Sequence, residues 1–351
     1  MTRRLARGKA SIGAAGAPRR IAALVLVLCL AAWAQRVSHA EGTQAPSGPL
    51  TVYRAAKIIT MEPAMPEARV VAVRDGAIVA VGRDLEDLAA RHASHRIRIG
   101  RHVKLLADGA FFSRLMQMNP PGYPDGRHGA WLTEPDHLLA QARPFWNAGY
   151  DVHVHVNGDR GLDVVLDMLA TLLSEKPRFD HRLCLEHMGF STEDQTRRIA
   201  ALGAVVSAQP YYLYVLGDEY AERGLGYERA SQISRLASLV ARGIPLTLHS
   251  DLTMAPSQPL RLAWVAANCL TMDGTLMAPA QRLTVDQALR AVTSDAAFVL
   301  RMEDRIGSIR AGKSADFTVL ERDPYEVGAA GLAEIPVWGT VFEGRPHPVA
   351  R

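Results

Sequence analysis

The sequence predicts an α/β protein in which about five strand–helix units, a parallel sheet or part of a (β/α)8-type barrel, lie between two β patches. Three observations lead there. The middle of the chain alternates short apolar strands with segments of helical periodicity. A hairpin pattern stands before it, and a second β-rich stretch follows it. A closed barrel has eight such units, so five make an incomplete one.

The N-terminus comes first. Residues 1–40 carry seven basic side chains (Arg3, Arg4, Arg7, Lys9, Arg19, Arg20 and Arg36) and no acid, then an uncharged run Ile21–Ala34 and a small-residue site Ser38-His39-Ala40. This is the layout of a cleaved secretory signal peptide, and fourteen apolar residues fall short of the ~20 of a membrane span. The expectation is export to the periplasm or medium, with Glu41 as first residue and no stable membrane anchor. Without residues 1–40, 33 basic residues face 36 acidic ones. The basic balance of the whole chain therefore belongs to the leader and gives no reason to expect nucleic acid as a partner. Cys184 and Cys269 sit among apolar residues without metal-type spacing and read as buried free thiols.

Residues 41–100 read as the N-terminal part of a small β-sandwich. Arg69–Val73, the Asp75-Gly76 turn and Ile78–Val81 form a hairpin signature. Its counterpart, residues 304–351, holds Ile306–Ile309 and Ala315–Leu320, so the termini are expected to pair into one small sheet domain. Between them, residues 101–303 carry strand candidates His102–Ala107, Tyr150–Val156, Arg182–His187, Ala204–Gln209 and Ile244–Asp251. Helices are expected after Asp159 as cap, with Leu162, Val165, Leu166, Leu169 and Leu173 inward. Others are expected from Ser191 with Asp194 as box partner, through Ile233, Leu236, Leu239 and Val240, and from Thr284 with Gln287 at the box position.

Strand alternation sorts the faces. Val152, Val154 and Val156 oppose Asp151, His153, His155 and Asn157, while Leu246 and Leu248 oppose Thr247, His249 and Asp251. A barrel with apolar residues toward its helices and polar ones inward places its site at the strand C-terminal ends. His155, His187 and Asp251 fall at such ends, and two imidazoles with a carboxylate are ligands for zinc or a similar divalent metal. His153 or His249 alone reads equally as a hydrogen-bonded core histidine. Lys104 shares a face with Asp108 and becomes a ligand only if carbamylated.

The phrases Val103-Lys104-Leu105-Leu106-Ala107-Asp108-Gly109, His155-Val156-Asn157-Gly158-Asp159-Arg160, Leu185-Glu186-His187, His249-Ser250-Asp251 and Gly307–Asp316 resemble the amidohydrolase superfamily, in its amidohydrolase-3 or N-substituted formamide deformylase branch. That resemblance implies metal-activated hydrolysis of non-peptide carbon–nitrogen bonds of amide or formamide type. It implies His155, His187, Asp251 and a carbamylated Lys104 as metal ligands, with Asp251 also the general base. His249, Asp108 and Arg127 would touch a small-molecule amide substrate, and the Gly- and Pro-rich segment Phe111–Trp131 would cover the site. The family's first barrel strand carries a His-x-His pair, whereas here Arg96–Arg101 runs straight into the Lys104 strand. His153-Val154-His155 has the right letters but fifth-strand flanks. Three βα units are thus expected to be absent, leaving one metal per chain, and the open strand edges favour a homo-oligomer. The alternatives are a catalytically impaired remnant that serves as a binding or interaction protein, and a periplasmic α/β small-molecule binder.

Overall fold

A computed structural model describes residues 50–83 and 101–349. The expected leader and most of the junction before Lys104 lie outside the described residues.

Five parallel strands form the central sheet: β4 (His102–Leu106), β5 (Asp151–Val156), β6 (Cys184–His187), β7 (Val205–Ala208) and β8 (Leu246–Leu248). They lie side by side in sequence order, with β4 and β8 at the margins. All five expected strands are present, each trimmed at its ends. The crossovers hold helices α1 (Pro135–Asn147), α2 (Asp159–Glu175), α3 (Glu193–Leu202), α4 (Tyr211–Glu219), α5 (Tyr227–Ala230) and α6 (Leu236–Ala241). After β8 come α7 (Pro259–Asn268), α8 (Val285–Ala291), α9 (Ser294–Val299) and α10 (Pro324–Gly331). No helix among the described residues is long and apolar enough to cross a membrane.

The alternation expected from sequence decides where the core sits. Val152, Val154 and Val156 are completely buried with Leu185, Val206, Leu246 and Leu248 against the helix layer. Leu162, Val165, Leu166 and Leu169 of α2 pack there too, but Leu172 rather than Leu173 completes the stripe. Asp159 does not cap α2: Gly158 is the cap, and Asp159, first residue of the helix, accepts from Asn119 N instead. The box opening α3 is Thr192 with Gln195, one residue beyond the expected Ser191 and Asp194, while Thr284 and Gln287 do form the box of α8. Helix α6 starts only at Leu236: Ser234 takes a left-handed φ of 55°, and Ile233 before it forms an isolated bridge with Phe190.

The β patches behave differently from a single paired sheet. β1 (Thr51–Ile59), β2 (Glu67–Arg74) and β3 (Ala77–Gly82) form one antiparallel sheet, with Asp75 and Gly76 both at positive φ in the β2–β3 turn, as that dipeptide predicts. β9 (Phe317–Leu320), β10 (Val337–Phe342) and β11 (Arg345–Pro348) form another, and Ile306–Ile309 is not a strand. An Ala77–Ser314 bridge and a shared apolar cluster of Val71, Val73, Ile78 and Ala315 join the two. Both thiols are free and buried.

The segment Phe111–Trp131 is no loose cover. Phe111, Met116, Met118 and Tyr123 are buried with Tyr212 and Tyr220 in a cluster of their own, and Phe111 stacks on Tyr212 at 4.2 Å.

Candidate metal centre

The inner face of the sheet, opposite the valines, presents Lys104, His153, His155, Glu186, Ser207, Thr247 and His249. By the same alternation His187 belongs to the helix face, yet it stands beside His155. The reason is local: His187 and Met188 adopt positive φ values of 75° and 47°, which turn the strand end and re-aim the imidazole. The ring of His187 lies 4.5 Å from that of His155 and 4.8 Å from that of His249. Backbone ladders continue past the strand ends, from Met188 N to Val156 O (3.0 Å), Gln209 N to His187 O (3.1 Å) and His249 N to Ala208 O (3.0 Å), and fix the three ends relative to one another.

Asp251 follows β8 at a φ of 52°, and its charge acts on both His155 and His249. It lines a cavity of about 420 Å³ together with His249, Ser250, Glu186 and Ser207. Burial, reinforced by the neighbouring histidines and by Lys104, pushes His187 down to about 2; burial also lowers His155 and His249. All three rings are therefore neutral at ordinary pH, the form that ligates metal. His187 Nδ1 and His249 Nε2 are buried without a hydrogen-bond partner. Two imidazole nitrogens without hydrogen-bond partners, on rings 4.8 Å apart and with Glu186 Oε2 3.9 Å from His249 Nε2, leave donors for a divalent cation. His155 Nε2 instead meets the Asn157 amide at 3.0 Å.

The other expected residues divide. Lys104 is exposed on β4, in register with His153, and its charge acts on all three rings of the centre. Asp108 is not offered to substrate, which corrects the sequence expectation. It is fully buried, and its carboxylate accepts the backbone N–H groups of Gln117 (2.8 Å), Asn157 (2.8 Å) and Gly158 (2.9 Å). A carboxylate among three peptide donors pins the Phe111 segment onto the His155 strand end. Arg127 is exposed, with Nε 2.8 Å from Asp125 Oδ2 within its own loop. Sequence reasoning passed over three neighbours. Glu186 accepts from His153 Nδ1 at 2.7 Å; burial pushes its carboxyl up, but His153 and His249 outweigh that and hold it at about 2. Asn157 orients His155, and Gln209, fully buried, has neither amide atom paired. Glu186 was legible by alternation, since it shares the face of His153 and His155.

An acid-sensitivity experiment follows from these shifts. In the unfolded chain an imidazole titrates near ~6.5, whereas His187 in the fold stays neutral to about 2. Below the unfolded value the unfolded chain binds more protons, so this group's contribution to stability is lost as pH falls. Asp108, which burial pushes up to about 7 against its three amide bonds, acts in the opposite sense, favouring the fold less as pH rises from the usual carboxylate range. The difference between wild type and His187→Asn isolates the histidine. The metal-free wild type is expected to lose more melting temperature between about pH 7 and 5 than the variant. Parallel curves would contradict it.

With this geometry in place, comparison with known proteins is informative. A family model for the amidohydrolase family matches residues 29–347. N-substituted formamide deformylase from Arthrobacter pascens is 30% identical over 197 residues, 56% of this chain and 36% of that protein. Imidazolonepropionase from Acinetobacter baumannii is 35% identical over 137 residues, 39% of this chain and 29% of that protein. An uncharacterized metal-dependent hydrolase from Pyrococcus horikoshii OT3, a solved structure, superimposes with a TM-score of 0.54 at 27% identity, covering 62% of this chain and 45% of that one. This chain spans about a third of the length of these two curated relatives. With 319 of its 351 residues inside the family match, the chain belongs to the amidohydrolase family.

Proposed function

We propose that the chain is an exported hydrolase of carbon–nitrogen bonds, acting on small amides or N-formyl amines at the ends of β5, β6 and β8. In this reading the sheet is the C-terminal five units of an eight-unit barrel, and the two antiparallel sheets are its small sandwich. The observation that carries it is the pair of unpaired nitrogens, His187 Nδ1 and His249 Nε2, on rings that cluster with His155, with Asp251 on the cavity wall beside His249. His155, His187 and Asp251 would hold one divalent metal, zinc by choice of donors, which when bound polarises the substrate carbonyl and lowers the pKa of water.

The protein's own groups do the rest. Asp251 accepts the proton of the attacking water and returns it to the departing amine, so the amide yields a carboxylic acid and an amine. His249, on the cavity wall two residues before Asp251, donates to the substrate carbonyl or aligns the carboxylate. Asn157 holds the His155 ring in place, its amide nitrogen 3.0 Å from Nε2.

The test is turnover of simple N-formyl and N-acyl amines by the purified chain, lost on chelation and restored by zinc. No turnover with any divalent metal would refute it. That result would favour a binding or interaction role, a reading supported by the exposure of Lys104 and the lack of any histidine in residues 50–83. Export is checked separately: mass spectrometry of the periplasmic or secreted form should begin at Glu41, and an intact N-terminus in the cytoplasm would contradict it.

A further inference from the structure

One pleat below the histidines, the inner face carries a second set of ligand-type groups. His153 on β5 and Cys184 on β6 are register partners, and Glu186 stands two residues beyond Cys184 on the same face. One ligand atom from each of the three falls within 4.8 Å of the others. Cys184 is fully buried, beneath Val205, Val299 and Phe298. We propose that His153, Cys184 and Glu186 form a metal site of their own, for a zinc-like divalent cation, separate from the centre at His155, His187 and Asp251.

The donor set and its surroundings argue for it. An imidazole, a thiol and a carboxylate are the ligands of a borderline-soft cation, and the sulfur disfavours magnesium and calcium. The two nitrogens of His153 have distinct partners: Nδ1 faces Glu186 at 2.7 Å and Nε2 faces His102 Nδ1 at 3.2 Å. A cation at Nδ1 leaves the ring proton on Nε2, where His102 accepts it. This is the arrangement by which an outer group fixes the tautomer of a ligating histidine. The thiol of Cys184 gives one proton to solvent on binding. Thiolate and carboxylate then balance the two charges of the cation. Binding requires the His153–Glu186 contact to open from 2.7 Å to about 3.3 Å, the ligand spacing of tetrahedral zinc, a small swing of one carboxylate. The fourth position and the entry path lie toward the cavity that Glu186 shares with Ser207 and His249, open to water. The sequence His153-Val154-His155 thereby delivers one imidazole to each centre.

Sulfur ligation makes the test independent of turnover. The purified chain, reduced and stripped of metal, is titrated with cobalt(II). A near-ultraviolet thiolate-to-cobalt charge-transfer band is expected, reaching the intensity of one thiolate-bound cobalt per chain. It should vanish in Cys184→Ser and persist in Cys269→Ser, which removes the other described thiol. It should also persist in Asp251→Asn, which disables only the hydrolytic centre. His153→Gln keeps the thiol and its packing, and should weaken cobalt binding read at this band at least about tenfold. Absence of the band in the wild type, its survival in Cys184→Ser, or unchanged affinity in His153→Gln would each overturn the site. A chain that shows the band without hydrolysing amides would refute the proposed function and leave this site standing.

Discussion

Replacing Asp251 with Asn is expected to cut amide turnover by two to four orders of magnitude, about 3–5 kcal/mol of transition-state stabilisation, while most of the bound metal stays. The substitution is nearly isosteric. Asp251 sits at a φ of 52°, and asparagine is one of the few side chains that tolerate that region. The fold should therefore persist, and His155 and His187 remain to ligate. What disappears is the only described carboxylate at the end of β8 able to take a proton from water beside His155 and His249. Elemental analysis and turnover, measured on wild type and variant side by side, decide the matter. Activity within tenfold of wild type would mean that another group is the base.

The largest effect on stability is expected at Gly158. A Cβ there would stand 1.9 Å from the carbonyl oxygen of Gln117, with that residue's carbonyl carbon at 2.6 Å. Neither side can yield cheaply. The N–H of Gly158 is bound to Asp108, its carbonyl accepts from Leu162 N at 2.9 Å as the cap of α2, and Gln117 is tied to the same carboxylate. Gly158→Ala should cost about 3 kcal/mol or more, lowering the melting temperature by roughly 6–12 °C. It should also weaken metal binding, because Asn157, which orients His155, is the preceding residue. Gly149→Ala is the control. A Cβ there meets nothing within 4 Å, so only left-handed backbone strain of about 1 kcal/mol is added. Equal losses in the two variants would contradict the pinned-segment account.

Much of this was legible in the chain itself. Period-two alternation separated Val152, Val154 and Val156 from His153 and His155, and the structure buries the first set and turns the second inward. Alternation works because a pleated strand has no other freedom. It would assign His187 to the helix face, because the backbone leaves the β region there and a counting rule cannot follow; the strand-end position, not the period, singled that residue out. Asp108 was misjudged because a carboxylate at a strand end looks the same in sequence whether it faces a cleft or three peptide N–H groups. The caps show a similar limit. Ser191 and Thr192 offer the same hydroxyl one residue apart, and only packing chose the threonine, leaving Ser191 Oγ buried and unpaired.

The left-handed geometry of His187, Met188 and Asp251 bears on how this protein would respond to selection. For residues with a Cβ each such position is uphill by about 1 kcal/mol, so the centre is held open against the preference of its own backbone. A library screened for heat resistance alone would gather glycine or asparagine at His187 and Met188, relieving strain and erasing a ligand together. A screen that also demanded bound metal would have to find its gains elsewhere. The divergence between two such libraries would locate the chemistry of this chain without any substrate being known.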